Sequence, residues 1–163
     1  MSTPQFIVDI RKHIGNDLLW LHGVGVVIRH DDQVLLARRA DTGVWAMVGG
    51  IVDPGEPAAV AAVREVAEEV GISVVLEHLI AVTVSPLIVY ANGNKTLYQD
   101  LVFTAHLAEG VTPEDVHLSD DENTDVGWFR RDNLPEPLAK STAQRFDLLD
   151  RFEAQGTAAA LFD

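Results

Sequence analysis

The sequence predicts an α/β fold, a mixed β-sheet sandwiched between α-helices, on three observations. Runs of β-branched and aliphatic residues lie before and after one alanine-rich amphipathic stretch, turn signals separate those runs, and a second amphipathic stretch closes the chain. The first two runs, "LWLHGVGVVIR" and "QVLLARR", flank the polar turn "HDD" and predict a strand pair. Gly49 and Gly50 open a loop containing Pro54-Gly55, read as a tight turn or a close backbone approach. The loop leads to "PAAVAAVREVAEEVG", whose composition and apolar spacing predict a helix from about Pro57 to Val70 with Gly71 as its C-terminal cap. "SVVLEHLIAVTV" reads as one strand or two, and "LIVY" with "KTLYQDLVFTAHL" as a hairpin around Asn-Gly. The acidic loop "LSDDENTD" precedes a short strand "VGWF", and "AKSTAQRFDLLDRFEAQ" has the spacing of a closing helix.

With 163 residues and no linker or internal repeat, the expectation is a single domain over 1–163. Hydrophobic residues at 47% and charged residues at 23% are ordinary for a folded protein. Twelve Lys and Arg against 25 Asp and Glu give a charge of −13, a field that repels nucleic acid and anionic membranes, so neither is an expected partner. The absence of cysteine excludes disulfides, thiolate metal sites and cysteine nucleophiles. "MSTPQFIVDIRKHIG" lacks a basic start followed by an apolar run, and "LLWLHGVGVVI" is too short to span a bilayer, so a cytoplasmic location is expected.

The predicted central helix carries Val60, Val63, Val66 and Val70 on one face and Glu65, Glu68 and Glu69 roughly opposite. A solvated polar face accounts for that pattern alone. Two costs count against it. Glu65 and Glu69 are like charges at i,i+4, worth roughly 0.2–0.5 kcal/mol against the helix. Glu68 and Glu69 occupy the last turn, where the macrodipole disfavours anions by about 0.3–1 kcal/mol. A hard divalent cation reverses both signs, since Mg2+ takes carboxylate oxygens and keeps waters and substrate phosphates as other ligands.

These residues carry a resemblance. Gly50, Glu56, Arg64, Glu65, Val66, Glu68, Glu69, Gly71 and Ile72 fit every fixed position of the Nudix box, G-x5-E-x7-R-E-U-x-E-E-x-G-U with U aliphatic, and "LLARRADTGVWAMVGG" and "DVGWFRRDNLPEP" are similar to its flanks. Val48-Gly49-Gly50 replaces the common Pro-Gly-Gly, and Asp53 stands where glutamate is frequent. The resemblance implies a Nudix fold and Mg2+-dependent hydrolysis, with Mn2+ as a substitute, of a nucleoside diphosphate linked to X. The metal neutralises phosphate charge and lowers the pKa of bound water. It further implies Glu68 and Glu69 as principal metal ligands, the Gly49 carbonyl as another, Glu65 as ligand or base, and Arg64 as the group that orients Glu65. Glu56 is implied as a ligand at one remove or through water. Members often add an acid from outside the box; "SDDEN" offers Asp120, Asp121 and Glu122, and the spacing to Val126–Phe129 favours Glu122. Many members form homodimers, so the resemblance allows a homodimer here, although no surface in the sequence identifies the interface.

Substrate choice lies outside the box. Trp45 is a stacking candidate or a core residue; Arg38 and Arg39 are phosphate-binding candidates or solvated strand residues; Gly50 brings backbone to the substrate. Tyr90 and Tyr98 read as hairpin packing. Pro86 stands near a position associated with ADP-ribose hydrolases and Tyr90 near one associated with dinucleoside polyphosphate hydrolases, so the markers conflict. ADP-ribose or a related nucleotide, including a modified nucleoside triphosphate, is the favoured substrate. The alternative is a catalytically weak Nudix-like module that binds a nucleotide and regulates, although such modules usually lose a box carboxylate and this chain keeps all of them.

Overall fold

The computed structural model describes residues 3–162, so Met1, Ser2 and Asp163 of the one-domain expectation lie outside the described residues. In chain order the elements are α1 (Gln5–Ile14), β1 (Leu18–His30), β2 (Gln33–Arg39), β3 (Trp45–Ala46), β4 (Gly49–Ile51), α2 (Ala58–Val70), β5 (Val74–Val84), β6 (Ile88–Val89), β7 (Lys95–Leu107), a 3-10 turn (Pro113–Asp115), β8 (Asn123–Arg130), α3 (Lys140–Ala154) and β9 (Leu161–Phe162). The strands form one mixed sheet in the order β3-β2-β1-β7-β5-β9, with β4 on β1, β6 on β7 and β8 on β2. β1 and β7 run parallel along nearly their full length. β1 pairs with β4 at residues 23–25 and with β2 at residues 29–30, so its outer edge is divided between two partners.

Alternation on the strands feeds two cores. Val24, Val26 and Ile28 of β1 with Leu35 of β2 and Phe103 of β7 pack against Ala61, Ala62, Val66 and Val70 of α2. Val27, Val34, Leu36 and Val102 point the other way, onto Phe146, Leu149 and Phe152 of α3. The sheet therefore lies between α2 and α3, as the sequence predicts. No helix among the described residues is long and apolar enough to cross a membrane.

Four local differences from the sequence expectation have physical reasons. Gln5–Ile14 is a helix that the β-branched Ile7, Val8 and Ile10 obscure in the sequence. The Gly49-Gly50 segment is a short strand, because a Cβ at Gly49 would lie 2.2 Å from the Val24 carbonyl oxygen and only glycine permits the close pairing with β1. β8 begins at Asn123, three residues before the expected strand, through its ladder with β2. The largest correction concerns α2. Glu65 and Glu69 are not opposite the core: they are buried with Ala61, Ala62, Val66 and Val70, whereas Val60 is 54% exposed and Glu68 alone of the three faces outward. The alanines set the packed face, and glycines across from the last turns leave room for two carboxylates.

Candidate active site

The C-terminal half of α2 lies against β4, and this contact gathers the acids. A Cβ on Gly50 would sit 2.3 Å from the Glu65 carboxyl carbon, so the absent side chain is the space Glu65 fills. Glu69 reaches the same strand: the Gly49 N–H donates to its Oε1 at 3.1 Å, and Asn123 Nδ2 donates to its Oε2 at 2.9 Å. Both donors are neutral. Burial raises the Glu69 carboxyl above its ordinary range against the lowering effect of those bonds, and the charge of Asp120 adds to the rise.

Arg64 organises the other carboxylates. Its Nε and Nη2 donate to Glu56 at 2.9 Å each, Nη1 to Glu65 Oε1 at 2.9 Å and Glu68 Oε2 at 3.1 Å, and Nη2 to the Ile51 carbonyl at 3.1 Å. A guanidinium has five N–H donors, and all are accounted for. Glu56 in turn accepts the Asp53 N–H at 3.1 Å, which closes the loop onto the helix, and Arg64 holds its carboxyl below the usual range. Glu65 is fully buried. Burial pushes its carboxyl up to about 7, against the lowering effect of Arg64 and with further rises from Glu69 and Glu68.

The chain after β7 caps this helix. His117 N–H donates to the Val70 carbonyl at 3.2 Å and Ser119 N–H to that of Glu69 at 3.1 Å, supplying donors where the helix end lacks them. Gly71 has φ +69, and a Cβ there would lie 2.2 Å from the His117 ring, so the cap demands glycine twice over. The same segment carries Asp120 close enough to bear on Glu69, and Glu122, whose carbonyl accepts the Ala40 N–H at 2.7 Å. Burial raises the Asp120 carboxyl.

The remaining predicted residues divide. Arg39 forks onto Asp41 through Nε and Nη2 at 2.9 and 2.8 Å, and its charge also bears on Glu69. Arg38 donates to the Gly43 carbonyl at 3.1 Å and serves the β2–β3 turn. Trp45 meets Phe129 edge-on at 4.9 Å in the α3-side core, with its backbone tied to Pro137 and Ala139. Tyr90 and Tyr98 join through their hydroxyls at 2.9 Å across the β6–β7 hairpin. Sequence reasoning missed Asn123, whose only sign was an amide directly after the acidic run, and the ion pair by which Arg145 of α3 forks onto Asp100 of β7 at 2.9 and 2.7 Å.

The donor chemistry suits a hard divalent cation. Glu65, Glu68 and Glu69 offer carboxylate oxygens, and the buried Glu65 Oε2 has no hydrogen-bond partner among the described residues. Among the described residues no three acidic or imidazole groups converge into an enclosed metal cage; Arg64 Nη1 stands between Glu65 and Glu68.

Comparison with known proteins agrees with this geometry. The family model described as NUDIX domain matches residues 20–152. A MutT-like protein of Streptomyces ambofaciens is 34% identical over 139 residues, 83% of this chain and 80% of that one. An 8-oxo-dGDP phosphatase of Mus musculus is 33% identical over 142 residues, 84% of this chain and 39% of that one, so the chain spans well under half of this longer relative. Among solved structures, the MutT NUDIX hydrolase of Burkholderia pseudomallei superposes with a TM-score of 0.60 at 30% identity, covering 80% of this chain and 98% of that one. A helix that buries two glutamates against a glycine strand, with a match over most of the chain, places it by descent as well as by geometry: the chain belongs to the Nudix hydrolase family.

Proposed function

We propose that this protein hydrolyses the diphosphate linkage of a nucleoside diphosphate joined to X, with Mg2+ as cofactor and Mn2+ able to replace it. The observation that carries this reading is the burial of Glu65 and Glu69 beneath Gly49-Gly50, where Glu69 meets only neutral donors. Glu65 shares the one guanidinium of Arg64 with Glu56 and Glu68, and Glu69 has no cation bonded to it; a carboxylate taken from water in that way costs roughly several kcal/mol unless something positive joins it. Glu65, Glu68 and Glu69 with the Gly49 carbonyl would hold the metal, and Glu56 would act at one remove through Arg64. When bound, Mg2+ supplies charge neutralisation on the diphosphate and activation of water.

The chain's own groups have the following roles. Arg64 fixes Glu65 and, through Glu56, the β4–α2 loop; Glu68, half exposed, turns from Arg64 toward the cation. Asn123 and the Gly49 N–H hold Glu69 in one orientation. Arg39, already within electrostatic reach of Glu69, meets a phosphate oxygen, and Gly50 lets backbone approach the diphosphate. As water attacks phosphorus, the P–O anhydride bond breaks, the leaving phosphate departs with its electron pair, and the proton passes to a carboxylate. Glu65, which Arg64 orients, is the carboxylate for that task where it does not ligate the metal, and Glu122 is the added acid from outside the box.

For the substrate, ADP-ribose and oxidised nucleoside phosphates are the two classes to separate. The mouse relative, an 8-oxo-dGDP phosphatase, favours the oxidised guanine class. The test is product release from ADP-ribose, NADH, diadenosine polyphosphates and normal and oxidised triphosphates, with Mg2+, Mn2+ or EDTA, each product identified. Cleavage at a diphosphate that EDTA abolishes is the expected result. Nucleotide binding without any cleavage would sink it and leave a regulatory module.

A further inference from the structure

α3 turns one polar side chain toward the core it shares with the sheet. Thr142, in the first turn of that helix, is fully buried on the side where Met47, Phe146 and Leu149 pack together. A buried hydroxyl costs free energy unless it is bonded, and a β-branched residue gives the helix nothing in return. Its partner is the Met47 N–H, which donates to Oγ1 at 2.9 Å. Met47 needs an acceptor from outside the sheet. β3 ends at Ala46, paired with Ala37 of β2, and β4 begins at Gly49, paired with Gly25 of β1; Met47 and Val48 lie buried between the two ladders, where the chain crosses from one strand to the other. The Val48 carbonyl accepts the Val26 N–H at 2.9 Å, and the Gly49 N–H donates to Glu69 at 3.1 Å. Helices on opposite faces of the sheet therefore hold the N–H groups of Met47 and Gly49, next-but-one neighbours in the chain.

We propose that Thr142 is a positioning residue for the acid site: by accepting the Met47 N–H it sets where the glycine strand starts, and through Gly49 it sets the place of Glu69. The strand has no slack to absorb a shift. A Cβ at Gly49 would lie 2.2 Å from the Val24 carbonyl oxygen and one at Gly50 2.3 Å from the Glu65 carboxyl carbon, so β4 lies closer to β1 and to α2 than any residue with a side chain could. Without the hydroxyl, a buried N–H loses its partner, and the backbone around it must move to reach another acceptor or water. Movement at Met47 passes directly to the Gly49 N–H that holds Glu69 and to the Gly49 carbonyl assigned to the metal. The segment before α3 also grips this stretch, Trp45 N–H donating to the Pro137 carbonyl and Ala139 N–H to the Trp45 carbonyl, each at 2.8 Å, and Thr142 is the tie nearer the glycines. This role rests on the metal-site reading of Glu69 proposed above, and one arm of the test is independent of that reading.

The test compares the full natural chain with Thr142→Val, which keeps the shape and loses the acceptor, Thr142→Ser, which restores the acceptor, and Leu149→Ala, which loosens the α3 core and leaves the bond alone. The metal-free arm follows amide hydrogen exchange at Gly49 by NMR. Exchange there is expected to be about tenfold faster in Thr142→Val, within about threefold of the natural rate in Thr142→Ser, and no faster in Leu149→Ala than its loss of global stability accounts for. The second arm measures Mn2+ affinity by calorimetry without nucleotide, then kcat and KM under saturating Mg2+. Thr142→Val should weaken Mn2+ binding and lower kcat by about tenfold each, the scale for a group that acts behind a ligand, with KM unchanged and Thr142→Ser recovering both. Natural Gly49 exchange or natural Mn2+ affinity in Thr142→Val, or an equal loss of affinity in Leu149→Ala, overturns the role and leaves Thr142 a packing residue of α3. Faster Gly49 exchange in Thr142→Val, where even the natural chain neither binds Mn2+ nor cleaves a nucleotide, sustains the tie from Thr142 to Gly49 and rejects the hydrolase reading instead.

Discussion

The two faces of the sheet carry polar clusters of opposite design. On the α2 face, Glu56, Glu65 and Glu68 share the single guanidinium of Arg64, and Glu69 is held by neutral donors alone. On the α3 face, Asp100 and Arg145 match one to one. Both are sheltered from water, so the difference lies in charge balance. A balanced pair can persist by itself and present directional hydrogen bonds, whereas an excess of sheltered carboxylate is stable only with a proton or a cation. The imbalance is what suits the α2 face to the cation of the proposed function, whereas the balanced pair ties β7 to α3.

The largest effect should come from removing negative charge on the imbalanced face. Glu69→Gln is expected to lower Mg2+-dependent kcat by about 10²–10³-fold, the scale of a lost electrostatic contact at a reacting centre. The fold should survive, because the Gln side-chain oxygen can still accept from Gly49 N–H and Asn123 can turn its amide to accept from the new Nε2. Near-normal turnover with unchanged metal affinity would remove Glu69 from the site. Arg64→Lys comes next, at about 10–100-fold in activity, since three donors cannot serve the five bonds now made and Glu56 would be released from the helix. Steady-state kinetics with a Mg2+ titration would check it; a loss confined to thermal stability would make Arg64 a scaffold only.

How much of this was legible in the sequence follows from what each part depends on. α2 was readable because alanines, a single helical register and Gly71 at φ +69 are local properties, and its end falls at Val70 as expected. The direction of its carboxylates was not, because the valine spacing suggested one face while the space beside Gly50 decided another. α1 was legible in principle, with Arg11, Lys12 and His13 in its last turn and Gly15 beyond, but Ile7, Val8 and Ile10 dilute the signal with β-formers. Asp100 and Arg145 stand 45 positions apart and meet only through the β1–β7 ladder and the placement of α3, which no local pattern encodes.

A pH experiment sharpens the charge argument. The Glu65 carboxyl, ordinarily near 4.5, is raised to about 7 in the metal-free fold. Below about 4.5 both folded and unfolded chains hold its proton and nothing is lost. Between about 4.5 and 7 the unfolded chain releases the proton first, so it binds fewer protons than the native state and stability falls as pH rises. Above 7 the loss is complete, at about 1–3 kcal/mol. Glu65→Gln should therefore raise the Tm of metal-free protein at pH 8, leave it nearly unchanged at pH 4, and lower activity. A lower Tm at pH 8 would mean that the Arg64 bond outweighs burial.

The smallest effect concerns the acidic loop, where sequence and structure favour different members. Spacing favours Glu122, yet Asp120 is the residue whose charge bears on Glu69, and Glu122 meets the scaffold through its backbone at Ala40. If proximity to Glu69 governs, Asp120→Asn should reduce kcat by about tenfold and Glu122→Gln by less, each below the Glu69 effect because neither anchors the centre from α2. Comparing the two under saturating Mg2+ separates the alternatives: a larger loss with Glu122→Gln restores the acid favoured by spacing, and no loss with either confines the chemistry to the carboxylates of α2.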